Sequence, residues 1–272
     1  MNNKKTALIT GGGSGIGREL CHCFYREGYN LVVVSLVREE LVSLRDELRR
    51  VSDVQNIFIV PKDLSDPDAG DFIYDYCEKE KIDIDVLVNN VGFGLIGRHL
   101  DLDPALVKRM LTLNMMTMTL LCHLFGRKMK ERGKGSILNV ASTISFQPLP
   151  FWAAYAGSKA YVSSFSLAFA REMKEFGVSV ICLFPGITAT NFLDTAGLKR
   201  STNPLSVGSM IHRVAMDAKK VARAGYRGMI KRKLRAIPGI SNRLHFFLIH
   251  WIPNRLILFV VYVFMKRYRK TD

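Results

Sequence analysis

The sequence predicts an α/β fold in which a parallel sheet is covered by helices on both faces. Three observations point there. Short apolar runs alternate with helical stretches over roughly the first 190 residues. The runs are continuously apolar, as in LVVV at 31–34 and VSVICL at 178–183, which suits strands buried on both sides. The first run passes through a glycine-rich turn directly into a helix. At 272 residues the chain is long enough to bury such a core as one large domain, and it shows no internal repeat or low-complexity segment.

Residues 6–10 (TALIT) form the first predicted strand. Gly11-Gly12-Gly13-Ser14-Gly15-Ile16-Gly17 follows, and 18–27 reads as a helix. Glycines here let the backbone approach a pyrophosphate, while the helix N-terminus offers free N–H groups and the positive end of a dipole. This order opens a doubly wound, Rossmann-type fold and makes Thr10, Gly11, Gly13, Ser14, Gly15, Ile16 and Gly17 candidate dinucleotide contacts. After the second strand, 31–34, an acid would bind the adenosine ribose diol. Ser35 and Leu36 stand there instead, and Arg38 is close enough to meet a 2′-phosphate. NADP(H) is therefore favoured, with NAD(H) left open. The plainer reading of Arg38 is a solvated first-turn residue of the amphipathic helix 39–50.

A third strand, 57–60, ends near Asp63-Leu64, and 72–80 reads as a helix. Strand 85–88 runs into Asn89-Asn90-Val91-Gly92. Residues 104–132 read as one long helical stretch carrying Asn114. Strand 136–140 precedes Ser142, helix 155–176 follows, and strand 178–183 closes with Pro185-Gly186-Ile187-Thr188-Ala189-Thr190. Tyr155 and Lys159 stand four apart, which on a helix puts both on one face, one turn apart. An ammonium beside the phenol would lower its pKa from about 10 and make it a usable acid/base. Alone, such a pair is more often a surface helix with a half-buried Tyr. Ser142, at a strand end, stands where a loop can bring its hydroxyl beside the phenol.

With these residues in order, the chain resembles the short-chain dehydrogenase/reductase family over roughly its first two hundred residues. The match runs through Thr10-Gly11-x-x-x-Gly15-x-Gly17, Asp63, Asn89-Asn90-x-Gly92, Asn114, Ser142, Tyr155-x-x-x-Lys159, Pro185-Gly186 and Thr190. It departs at Val91, where the family usually has Ala, and at Arg38, one place later than the usual NADP-type Arg. The resemblance extends to the membrane-associated hydroxysteroid dehydrogenase and ketoacyl or ketosphinganine reductase branch. It implies a ketone–alcohol oxidoreductase. Tyr155 is implied as proton donor or acceptor, and Ser142 as a hydrogen-bond donor to the reacting oxygen. Lys159 is implied as tuner of the phenol and ribose contact, and Asn114 as holder of a water linked to Lys159. It also implies dinucleotide contacts from Asp63, Leu64, Asn90, Gly92, Tyr155, Lys159, Pro185, Gly186, Thr188 and Thr190, and a homodimer or homotetramer.

The residues expected on the substrate side are apolar: Phe93, Leu95, Ile144, Phe146, Leu149, Phe151, Trp152, Ile187, Phe192 and Leu193. A lipophilic ketone or alcohol suits them, since a polyol would call for fixed polar partners. The six His are scattered without metal-ligand spacing, and no metal is expected. The five cysteines show no metal-type pairing, and with no cleavable leader at the start they read as reduced cytosolic thiols. Two other readings stay open: an NAD-dependent alcohol dehydrogenase for a soluble substrate with an oligomerising tail, and a non-catalytic dinucleotide-binding sensor.

The net charge of +15 is unevenly placed. Residues 1–198 hold 22 Lys/Arg and 22 Asp/Glu, whereas 199–272 hold 17 Lys/Arg against only Asp217 and Asp272. A basic tail mixed with apolar runs points to an anionic membrane surface and away from nucleic acid. The expected division is one domain over 1–240, with a substrate lid at 191–215, a helix at 217–227 and an edge strand within 228–237, then an extension at 241–272. Its apolar runs, 244–252 and 256–265, are separated by Pro253-Asn254-Arg255. Each run is too short to span a bilayer, so two surface helices are expected, on a cytoplasmic protein peripheral to the inner face of a membrane. The alternative is a helix pair in a dimer interface. The catalytic site is expected to stay assembled without 241–272.

Overall fold

The structure is a computed structural model that describes residues 4–190, 192, 213 and 215–268. Its strands are β1 (Thr6–Thr10), β2 (Asn30–Ser35), β3 (Ile57–Pro61), β4 (Val86–Asn89), β5 (Gly135–Val140), β6 (Val178–Leu183) and β7 (Arg235–Ala236). They form one parallel sheet in the order β3-β2-β1-β4-β5-β6-β7. The chain winds outward from β1 in one direction and from β4 in the other. The point of reversal lies between them, where a doubly wound sheet opens a crevice at its carboxyl ends.

The apolar strands separate two cores, as their lack of alternation requires. On one face α1 (Gly15–Arg26), α2 (Arg38–Arg49) and α7 (Ala218–Ile230) bury Leu20, Phe24, Leu44 and Val221 against Ile9, Val33 and Ile181. On the other, α3 (Ala69–Lys79), α5 (Met118–Arg132) and α6 (Ala153–Lys174) bury Ile73, Leu121, Phe125 and Val162 against Leu8, Leu87 and Ile137. All five cysteines are free, and four are fully buried.

One expectation changes. The stretch 104–132 is not one regular helix. It is α4 (Pro104–Leu111), a π-helical turn over Thr112–Thr117, then α5, and the turn carries Asn114. A π-turn inserts one residue into the ladder and re-aims its side chains, as often happens at functional positions. The last strand falls within the expected stretch and spans Arg235–Ala236, because α7 runs on to Ile230 and Lys231-Arg232-Lys233 make an exposed turn with Arg232 at φ 48. A short edge flanked by cations is protected against pairing with another chain.

The extension carries the two expected helices. It forms α8 (Ile240–Ile249) and α9 (Asn254–Tyr268), separated at Pro253, which cannot donate to a continuing helix. Both helices pack onto the domain. Asn242 sits so close to Gly186 that a Cβ there would lie 2.5 Å from its Nδ2. Phe246 meets the Phe146 ring at 4.8 Å, and the Tyr262 ring stacks on Phe151 at 5.7 Å. Met265 is buried in one cluster with Met110, Phe151, Trp152 and Tyr155. Among the described residues no helix is long and apolar enough to cross a membrane. The expected lid lies outside the described residues except at Phe192, Arg213 and Ala215, and so does Leu193.

Candidate active site

A cleft of about 770 Å³ opens over the carboxyl ends of the strands. One end is built by the glycine turn. Gly11 and Gly15 have φ of 66° and 54°, in the region open to glycine. Gly17 has no room for a side chain, since a Cβ would fall 2.0 Å from the Gly11 carbonyl oxygen. Ser14 stands at the N-cap of α1 without a side-chain cap bond, and Ser14, Gly15 and Ile16 line the cleft. Uncapped first-turn N–H groups beside a side-chain-free turn fit a pyrophosphate. Asn90 fixes this turn by donating from Nδ2 to the carbonyls of Thr10 (3.0 Å) and Gly11 (3.2 Å). Thr10 accepts the N–H groups of Asn90 and Val91 on Oγ1. Thr10 and Gly17 thus shape the turn from behind, as does Gly13, against which Glu40 packs.

Asp63 and Leu64 line the cleft at its adenosine end, with Ser35, Leu36 and Lys62. Asp63 accepts from the Ser65 hydroxyl (2.7 Å) and from the Arg109 guanidinium (2.7 Å). Burial raises its carboxyl, but the Ser65 bonds and Arg109 outweigh this and hold it below the ordinary range. Arg109, on α4, and Lys62 were not foreseen. Lys62 could have been noticed beside Asp63, but nothing in spacing pairs residues 63 and 109. Arg38 begins α2, is exposed, and is not part of the cleft wall, whereas Leu36 is, with 63 % of its surface exposed.

At the other end stand Ser142, Tyr155 and Lys159, all in the wall. Ser142 follows β5 in extended backbone, and its hydroxyl accepts from the Ile144 N–H (3.3 Å). Tyr155 and Lys159 share the buried face of α6, each 5 % exposed, as the four-residue spacing predicts. Asn114 lies one layer behind. Its Nδ2 donates to the Phe93 carbonyl (3.0 Å) and the Ser158 hydroxyl (3.0 Å), and its Oδ1 accepts from the Phe93 N–H (3.2 Å). It therefore ties the loop after β4 to α6 beside Gly92, where a Cβ would meet Asn114 Oδ1 at 2.8 Å and Lys159 Nζ at 3.3 Å. Pro185, Gly186, Thr188 and Thr190 complete the wall after β6, and Thr188 donates to the Gly186 carbonyl (2.9 Å).

The expected electrostatics are reversed in the protein itself. Burial raises the Tyr155 phenol above its ordinary value, and a hydrogen bond with Ser142 only partly offsets it. Lys159 does not act on the phenol here, because its Nζ donates to the Val140 carbonyl at 3.0 Å. Burial lowers its pKa from 10.5 to about 8. Between those values the unfolded chain keeps a proton that the folded chain has released. This group's contribution to stability therefore rises as pH goes from about 8 to 10.5. In denaturant titrations, wild type should gain on Lys159→Met across that window. A constant difference between the two would place Lys159 at its ordinary pKa.

Of the apolar residues expected around substrate, Phe93, Ile144, Trp152, Ile187 and Phe192 line the cleft. Leu95, Leu149 and Phe151 belong to the adjoining cluster under α9, and Phe146 packs on Phe184 and Phe246. Gln147, unforeseen, also lines the cleft and is held by His245 of α8 at 3.3 Å. The set can place a dinucleotide at one end and hold a carbonyl oxygen between two hydroxyls at the other.

Residues 5–200 match the family model for short chain dehydrogenase. The chain belongs to the short-chain dehydrogenase family. Over 190 residues it is 33 % identical to "Probable oxidoreductase EphD" of Mycobacterium tuberculosis, covering 70 % of this chain and 32 % of that one. Over 189 residues it is 32 % identical to human "17-beta-hydroxysteroid dehydrogenase type 3", covering 68 % of this chain and 59 % of that one. The matched stretch thus spans about a third to three fifths of these relatives. A solved short-chain dehydrogenase from Sphingobium yanoikuyae in complex with NADPH superposes with a TM-score of 0.78 at 26 % identity, covering 88 % of this chain and 90 % of the other. For this short-chain dehydrogenase, glycine turn and cleft fit a nicotinamide dinucleotide.

Proposed function

We propose that this short-chain dehydrogenase interconverts a ketone and a secondary alcohol, and works as an NADPH-dependent reductase of a lipophilic carbonyl compound. The observation that carries this reading is the buried Tyr155 phenol, joined to Ser142, in the same cleft as the side-chain-free glycine turn. Bound NADPH would supply the hydride, and the protein supplies orientation and a proton. Gly11, Ser14 to Ile16, Asp63, Asn90 and the 185–190 loop would hold it. Tyr155 gives its Oη proton to the substrate oxygen during reduction and takes it back in the reverse direction. Burial keeps the phenol protonated, the state from which a donor starts. Ser142 hydrogen-bonds the same oxygen and stabilises the charge that develops there. Lys159, five per cent exposed on the same helix face and part of the cleft wall, would meet the ribose of the bound coenzyme.

The lipophilic substrate class is supported by the apolar wall around Tyr155 and by the likeness to a hydroxysteroid dehydrogenase. The phosphorylated coenzyme is supported by the lack of an acid at Ser35 and Leu36 and by the relative solved with NADPH. Lys62 lines the adenosine end of the cleft, and exposed Arg38 opens α2 after β2. Fluorescence titration tests the choice: wild type should bind NADPH more tightly than NADH. Leu36→Asp, placing a carboxylate beside the ribose, should reverse the order by about tenfold or more. Tighter NADH binding by wild type would overturn the NADP assignment. The working form we propose is a cytoplasmic homodimer or homotetramer through α5 and α6, peripheral to a membrane. Exposed Met116 and Tyr161 support the contact, and light scattering tests it.

A further inference from the structure

We propose that α8 and α9 lie in the surface of an anionic lipid bilayer and deliver the lipophilic substrate from it into the catalytic cleft. The delivery rests on the reductase reading above; the docking does not. Over 256–265 α9 is apolar all round, and α8 turns Leu244, Phe247 and Leu248 outward while Asn242 and His245 bond to the domain; each helix is covered on one side only. Inward, Ile249, Ile257 and Met265 are buried, and Tyr262 stacks on Phe151. Outward, Leu244, Phe247 and Trp251 on α8 and its turn recur at helical spacing, and Leu256, Phe259 and Val263 do the same on α9. All six are exposed, Trp251 by 77 % and Phe259 by 66 %. A helix apolar on every side is ordinarily buried on every side, so the outer stripes await a second surface.

Charge selects the occupant. No Asp or Glu occurs from 218 to 271, while that stretch carries 14 Lys or Arg. Arg243, Arg255 and Lys266 are exposed on these two helices. A second copy docking by two-fold symmetry would set this basic surface against itself, and like charges across an interface are penalised. An anionic bilayer complements it, and exposed apolar side chains with basic flanks are what an interfacial helix pair needs. Since neither helix can cross a membrane, the pair lies in the interface plane. The inner side of the same pair packs behind the substrate end of the site. Met265 shares a cluster with Tyr155 and Trp152, and His245 holds Gln147 of the cleft wall. A molecule dissolved in the acyl layer therefore has one helix thickness between it and Tyr155.

The test uses the full chain and phosphatidylcholine vesicles with about a third phosphatidylserine, which carry the negative surface potential of a cytoplasmic leaflet. The protein should co-sediment with them at low salt, less at high salt, and little with phosphatidylcholine alone. Trp251→Asp combined with Phe259→Asp should cut the bound fraction about tenfold or more, since burying a charge in the acyl boundary opposes docking. The pair should leave the thermal midpoint and the turnover of a small water-soluble ketone unchanged. For a ketone dissolved in the vesicles, KM should rise while kcat holds. Arg255→Glu with Lys266→Glu should remove the salt-dependent part of binding with the core untouched. Wild type that ignores anionic vesicles, or a Trp251/Phe259 variant that sediments like wild type, would overturn docking. So would a wild-type dimer that this variant makes monomeric, because the second copy would then cover the face. An unchanged KM would overturn delivery. A protein that binds vesicles but reduces no ketone would overturn the reductase reading and leave docking standing.

Discussion

Tyr155→Phe should lower turnover about a thousandfold, within the range by which a positioned acid/base accelerates proton transfer, while NADPH affinity stays nearly unchanged. The substitution removes one oxygen and keeps the ring. The ring contacts with Trp152 at 5.6 Å and Phe192 at 5.5 Å need no hydroxyl, so the cleft keeps its shape. The dinucleotide end, shaped by Asn90, Thr10 and the glycine turn, does not touch the phenol. What disappears is the proton held beside Ser142. Single-turnover rates and a fluorescence titration on the same sample separate chemistry from binding. A variant that keeps more than a few per cent of the wild-type rate would remove Tyr155 from the proton step.

Ending the chain at Gly239 should abolish turnover and destabilise the fold, against the expectation that the site stays assembled without the tail. Ile249, Ile257 and Met265 are each less than a tenth exposed. Burying such a side chain is worth roughly 1.5–3 kcal/mol, so losing three removes a large part of a typical stability of about 5–15 kcal/mol. The loss falls on the catalytic end: Phe146 loses Phe246, Phe151 loses Tyr262, and Gly186 loses Asn242. Phe151 holds a positive φ of 67°, an uncommon conformation for an aromatic residue that surrounding packing must maintain. A denaturant titration and a turnover assay of the truncated chain check this. A truncated protein as stable and active as the full chain would make α8 and α9 mere appendages.

Strands and glycine turn were legible because their signals are local. A strand buried on both faces must be continuously apolar, and LVVV or VSVICL can be little else between turn residues. Gly17 was legible as glycine and explicable only in three dimensions, where the Gly11 carbonyl occupies the place of a side chain. The π-turn at Asn114 was invisible, because one extra residue in a helical turn leaves the apolar pattern almost intact. The edge strand was legible as lying within 228–237 but its two-residue length was not, since apolar Leu234 and Ile237 cannot reveal that Cys182 and Leu183 alone offer partners.

By itself the sequence determined the parallel sheet, the dinucleotide end of the cleft and the shared face of Tyr155 and Lys159, because periodicity and helical geometry act over a few residues. The tertiary structure alone decided which partner each polar group takes. Asp63 meets Arg109 from another element, and Lys159 turns to the Val140 carbonyl instead of the phenol. It also decided which stripe of α9 is buried. A helix apolar on every side carries no mark of its inner face, so only the surface it packs against, here Phe151 and Trp152, can choose one.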